Sequence, residues 1–428
     1  MEGGADQTIH DVLVFGLTTL LCVYLLWALL SRMQGSRTGL ALAAPIFLAL
    51  LLRVVAAAGT SLTGVASFLR GSDELSFIGH ASDISATAFG SDQWIDALTG
   101  ALHEFVFAIQ LGAFDSPDLA LRLGRSTIAV VGILLLAVAV YELAGPRAAL
   151  LTAWFLALEP SGIFFSSLLH KEALMMLASG LVAYGGAMLW RHASPRWLLP
   201  MTMGCLVAVA TRPYAGWFLI AATAAITLHA GIRAPTDAPA RRLSLIAVVL
   251  LLVAISVPTV LEASTDESLE RNLQVSQNAN ASDESNLGLE QVDFSTRGAI
   301  VTNLPVRVRE ILTKPYPWQV DNISQQLAVV GSLIALVVFA MLVTTMLRNR
   351  GQVMQRAGPL LYLTVALLFA YSLSVGNAGT AFRYRTHILT PAIAALVALR
   401  TRPEEEAVAD PLLGQGRGRP PLAAGSVG

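Results

Sequence analysis

Lysine is almost missing from this 428-residue chain: of its 28 basic residues only Lys171 and Lys314 are lysine, and the rest are arginine. With abundant alanine, leucine and glycine, that usage points to a GC-rich, bacterial genome. Charge of either sign is scarce too, at 13% against about 25% in ordinary soluble domains. With 55% hydrophobic residues, this excludes a soluble globular protein and predicts an all-α integral membrane protein. Cysteine is limited to Cys22 and Cys205, both inside apolar runs, where they read as small buried hydrophobes and not as a disulfide framework or metal site. No basic residue precedes the first apolar run, Val12 to Leu30, whereas Glu2 and Asp6 do. A secretory signal needs a positive leading region, so this run is expected to be a retained span.

Runs long enough to cross about 30 Å of hydrocarbon recur near 39–58, 123–143, 148–166, 172–190, 197–211, 213–230, 243–261, 326–347, 358–376 and 386–400. About eleven transmembrane helices are therefore expected, with residues 1–400 forming one polytopic domain. Arginine placement in the short turns sets the expected orientation. One set of turns holds Arg32, Arg37, Arg147, Arg191, Arg196, Arg233, Arg241, Arg242, Arg348, Arg350, Arg356, Arg400 and Arg402. The opposite set holds only Lys171, Arg212, Arg383 and Arg385. The richer set is read as cytoplasmic, which puts the amino terminus outside, the carboxyl terminus inside and the chain in the cytoplasmic (inner) membrane. The tail, 401–428, with Glu404-Glu405-Glu406 and Gly416-Arg417-Gly418-Arg419, cannot bury a core and is expected to be disordered.

Two long segments, 59–122 and 262–325, then fall on the outer side. Trp94 to Ile109 places apolar residues at helical spacing, as in a helix lying in the membrane interface. Residues 262–293 read as a polar loop, and Pro305 to Leu312 as a short turn of helix with proline near its start.

Asp73 and Glu74, in Arg70-Gly71-Ser72-Asp73-Glu74, stand where the chain leaves hydrocarbon for water. A carboxylate at that depth costs free energy unless it is paired or used, so one of the two is a candidate catalytic base; a helix cap at Ser72 or Asp73 is the plainer reading. Cations should be depleted from outer turns, yet Arg212 and the pair Arg383 and Arg385 break that bias together with Lys171. An anionic partner would account for all of them, and arginine's planar fork suits phosphate. Each could also only reach for headgroups, or pair with Glu172. Candidate phosphate ligands are thus Lys171, Arg212, Arg383 and Arg385, with His170, Glu172, Tyr384 and His80 in second rank and the basic run Arg307, Arg309, Lys314 nearby. His80 and Asp83 with Asp73 and Glu74 offer an oxygen-rich divalent-cation site as another use of the same groups.

Residues 116–174 carry an Arg-Leu pair opening a span (Arg122-Leu123), a Gly-Pro-Arg turn (145–147) and a Glu-Pro-Ser near the outer end of the next span (159–161). This stretch resembles the GT-C glycosyltransferases, in particular the protein O-mannosyltransferase and aminoarabinose transferase branch. Gly376 to Arg385, reading Gly-Asn-Ala-Gly-Thr-Ala-Phe-Arg-Tyr-Arg, is similar to a segment of membrane proteins from bacterial polysaccharide clusters. The resemblance implies a GT-C-like fold, an acidic base in the first large outer loop, matched here by Asp73 and Glu74, and a polyprenyl-phosphate sugar donor used at the outer face. The acceptor would be a glycan, lipid or protein; no nucleic acid is expected. Phosphate leaves without acid assistance, so one base plus several cations is the signature of inverting transfer. The chain departs from the family in an extra span before the acidic loop and in a small carboxyl-terminal outer part. A polymerase or ligase acting on polyprenyl-diphosphate glycans, and a flippase of such lipids, are the other classes, although no internal repeat supports a transporter.

Overall fold

The computed structural model describes residues 2–63, 71–233, 246, 274, 289–290, 292–320 and 323–401, and it holds no β-strand among them. The helices, in chain order, are α1 (Glu2–Gln34), α2 (Ala43–Thr63), α3 (Gly71–Ser85), α4 (Asp92–Gly100), α5 (Leu102–Phe114), α6 (Asp118–Ala144), α7 (Pro146–Leu158), α8 (Pro160–Ser167) and α9 (Glu172–His192). They continue as α10 (Leu198–Thr211), α11 (Pro213–Arg233), α12 (Arg297–Thr313), α13 (Ile323–Arg348), α14 (Val353–Ser374) and α15 (Ala378–Arg400).

Seven helices among the described residues are long and apolar enough to cross a membrane, and eight if the bent pair α7–α8 counts as one span. The chain is a multi-pass helical membrane protein. Of the other expected spans, 197–211 is the 14-residue α10, 386–400 is the apolar half of α15, and 243–261, Ile246 apart, lies outside the described residues. The loop at 262–288, Gln274 apart, and the tail from 402 also lie outside them.

The centre of the bundle is α6 against α9. Both backbones come together because neither has a side chain at the crossing: a Cβ on Gly132 would lie 2.5 Å from the Met176 carbonyl oxygen, and one on Gly180 would lie 2.6 Å from that of Gly132. Small residues at such a crossing are how helices pack closely in lipid, where burial of apolar surface supplies no drive. By contrast α1 is peripheral, with Leu13, Leu17, Leu20 and Leu21 turned outward.

Pro160 has no N–H to give the preceding turn and its ring crowds that turn's carbonyls, so α7 stops at Leu158 and α8 restarts at a 61° bend. The Glu159 carboxylate caps α8 by accepting from the N–H groups of Ser161 (3.0 Å) and Gly162. The interfacial helix expected over 94–109 is in fact two, α4 and α5, interrupted at Ala101, whose backbone leaves helical geometry (φ −140°, ψ 52°). Trp94 anchors the pair, buried against Phe89 and Phe105. Pro305 is likewise not near a helix start: α12 begins eight residues earlier, capped by Thr296 Oγ1, which accepts from Ala299 N at 3.1 Å.

One end of the bundle gathers the arginine-rich turns. Arg37 pairs with Glu142 at 2.9 Å, Arg233 lies over the Trp190 ring, and Arg400 donates to Thr345 at 3.1 Å. Arg241, Arg242 and Arg402 lie outside the described residues. The opposite end holds the amino termini of α3, α9, α11 and α15, and with them the candidate site.

Candidate functional site

Four separate stretches converge at that end. Asp73 stands in the first turn of α3, Lys171 immediately before α9, Arg212 between α10 and α11, and Arg383 in the second turn of α15. All four line one cavity of about 250 Å3 that is completed by Phe77, Thr211, Pro213, Tyr214, Thr380 and Tyr384. Carboxylate and cations that lie up to 310 residues apart in sequence thus share a hollow.

Glu172 organises the cations from beneath. Its carboxylate is fully buried and accepts from Arg212 Nη2 at 2.6 Å and from Arg383 Nε at 3.3 Å. Two guanidiniums are thereby held side by side although they repel each other. Arg212 is also stacked 4.4 Å from the Tyr384 ring centroid and donates to Tyr214 Oη at 3.1 Å. The outer side of Arg383 reaches Asp73, with Nη1 to Oδ2 at 3.0 Å, and the Asp73 side chain is 54% exposed. Lys171 makes no ion pair among the described residues. Its ammonium lies 5.2 Å from the Phe77 ring centroid, and burial, then the neighbouring Arg212 charge, lowers its pKa. Three cations face two carboxylates, which leaves the hollow one positive charge in excess.

Glu74, the other candidate base, does not reach this cavity. It is 0% exposed and locked to Arg122, whose Nε also donates to Asp118 Oδ2 at 2.8 Å. The Leu169 N–H donates to Glu74 Oε2 at 3.2 Å. Glu74 therefore rivets α3 to the head of α6 and to the turn before α9, and it holds Asp73 in place from the neighbouring position. Arg385 is also not a phosphate ligand. Its buried guanidinium donates to the carbonyls of Ile311 (2.8 Å), Ala328 (3.2 Å) and Lys314, and to Ser332 Oγ at 2.8 Å. Cations at the carboxyl end of a helix satisfy carbonyls that the helix itself cannot, and here Arg385 does that for α12.

The basic run of α12 is spoken for as well: Glu310 receives Arg307 (3.0 Å) and Lys314 (2.6 Å), and Arg309 pairs with Glu290 at 3.3 Å. His80 turns away to Glu104 at 3.3 Å. His170 sits buried beside the cavity without lining it, and burial holds its imidazole down at about 4 and that of His103 likewise at about 4. No three His, Cys, Asp or Glu side chains converge as a metal site among the described residues, so His80, Asp83, Asp73 and Glu74 do not form the cation site their spacing offered.

Arg122 and Asp118 carry weight that the sequence reading gave them no role for. The signal was present: an arginine near the end of an apolar helix needs a carboxylate, and Asp118 and Arg122 stand four apart on one face. No family model, curated protein or solved structure matches the chain.

Proposed function

We propose that the protein is a membrane glycosyltransferase of GT-C type that moves a sugar from a polyprenyl-phosphate donor to an acceptor hydroxyl at the outer face of the cytoplasmic membrane. The observation that carries this reading is the single hollow in which Asp73 stands opposite Lys171, Arg212 and Arg383. The arginine-rich end of the bundle is then the cytoplasmic one, and the hollow faces outward.

The donor phosphate docks between Lys171 and the outer edges of Arg212 and Arg383, with its lipid in the hydrocarbon. The acceptor oxygen attacks the anomeric carbon from the opposite side, forming the new glycosidic bond while the bond from that carbon to the phosphate oxygen breaks. The phosphate leaves with the electron pair, and the Asp73 carboxylate takes the acceptor's proton. Fixed cations stabilise the charge growing on the leaving oxygen, and they are most effective where water is scarce. Arg383 connects the two halves of the reaction: a phosphate that takes its Nη1 hydrogen releases Asp73 from the ion pair, so the base is freed when the donor is in place. Glu172 is a positioning residue that keeps both guanidiniums aimed.

The test is transfer from short-chain polyprenyl-phosphate sugars to candidate acceptors by purified protein. Asp73→Asn is expected to lower turnover by about 10²–10⁴, the usual contribution of a positioned base, with thermal stability unchanged. Undiminished transfer by Asp73→Asn removes the mechanism, and donor binding without turnover by the wild type points to a carrier of the same lipid.

A further inference from the structure

At the opposite end of the bundle a larger hollow, of about 760 Å3, opens where α13 ends, α14 begins and α15 ends. Four of its lining side chains are Arg348, Arg350, Arg356 and Arg400, and among the described residues no carboxylate lines it. Arg356 is used locally, donating to the Leu399 carbonyl at 3.5 Å and to that of Thr401, and Arg400 Nε is tied to Thr345. Arg348 and Arg350 make no hydrogen bond or ion pair among the described residues. The bias of arginine toward one membrane side explains why cations lie at this end. It does not explain why four meet in one cavity whose described lining holds no carboxylate, since mutual repulsion favours spreading them around the rim. A hollow of this charge needs an anion.

We infer that this cavity binds the phosphate-bearing headgroup of an anionic membrane lipid. Position favours a lipid over a soluble anion: Leu347 lines the cavity and is 55% exposed, on the same outward face of α13 as Val343 and Leu336, so the apolar surface that meets acyl chains runs directly into the arginines. Basic hollows between membrane helices at the headgroup level are suited to anionic lipids, and arginine forks grip phosphate oxygens two at a time. The chain's own Glu404-Glu405-Glu406 is the competing occupant, since it begins three residues beyond Thr401. The site is separate from the outer cavity, and its assignment stands or falls independently of the proposed transfer reaction.

The experiment uses the full chain in neutral-lipid micelles titrated with phosphatidylglycerol, reading lipid retention by native mass spectrometry and thermal stability alongside. Arg348→Ala with Arg350→Ala is expected to weaken retention roughly thirtyfold, at about 1 kcal/mol per arginine near a bilayer surface. Arg191→Ala with Arg196→Ala, at the same end but outside the hollow, is expected to leave it unchanged. Equal retention by wild type and the Arg348/Arg350 variant overturns the inference. So does inorganic phosphate stabilising the protein as strongly as the lipid, which would assign the site to a soluble anion. Glu404, Glu405 and Glu406 all changed to Gln is expected to leave retention unaltered; retention that appears only in that variant makes the tail the occupant and overturns it equally.

Discussion

Neighbouring residues on a helix differ by about 100° in direction, and that decides which candidate does what. Asp73 and Glu74 are adjacent, so when one faces the cavity the other must face the bundle, and Glu74 finds Arg122 there. Arg383 and Arg385 are two apart, roughly opposite on α15: one meets Glu172 and Asp73, the other the carbonyls ending α12. The sequence shows that charges cluster in these stretches but not which partner each finds, because the partners come from distant helices. Two predictions follow from the division of roles. Glu74→Gln removes one of the two carboxylates on the buried Arg122 and leaves Asp118, which costs about 1.5–3 kcal/mol, and denaturant unfolding should show that loss, whereas Asp73→Asn should not. Arg385→Ala orphans the Ile311 carbonyl, at about 1–3 kcal/mol, and leaves those of Ala328 and Lys314 to Ser332 Oγ, so it should unfold earlier than wild type, while Arg383→Ala should fold and lose donor affinity.

The turn from Leu168 to Lys171 joins α8 to α9, and two of its groups meet partners across the bundle: the Leu169 N–H reaches Glu74, and the His170 carbonyl takes a guanidinium hydrogen from Arg125. Burial keeps the His170 imidazole neutral down to about pH 4, against 6.5 in an unfolded chain. Below about pH 6.5 the unfolded chain takes up a proton that the folded one refuses, so stability falls as pH drops from about 6.5 to about 4 and levels off below. For this one group the loss is at most about 3 kcal/mol. Unfolding measured across that range should show a shallower decline in His170→Asn than in wild type; identical slopes would contradict a buried neutral imidazole. The bend between α7 and α8 was legible only in part. Pro160 announces a break, but the caps that Glu159 supplies, and the reach of Arg53 Nε on α2 to Ser166 Oγ at 2.7 Å, depend on tertiary packing.

Across the whole molecule, hydrophobic runs and arginine bias were enough to read a multi-pass helical bundle with two chemically distinct ends. Individual span limits were less legible, because α10 is short, α15 carries arginines inside a buried helix, and α4 and α5 interrupt what looks in sequence like one amphipathic segment. The four cations in turns opposite the arginine-rich end broke the charge bias, and three of them, Lys171, Arg212 and Arg383, do meet around one hollow with Asp73, while Arg385 is drawn into the fold. The central claim is that this hollow holds a phosphate. Equilibrium binding of a short-chain polyprenyl phosphate measures it most directly, comparing wild type with Lys171→Ala, Arg383→Ala and, as a control at the other end and outside the arginine-lined hollow, Arg191→Ala. Loss of one charge-assisted contact of about 1.5–3 kcal/mol should weaken binding about ten- to hundredfold in each of the first two and leave the control unchanged. Affinity equal in all four proteins would contradict the account.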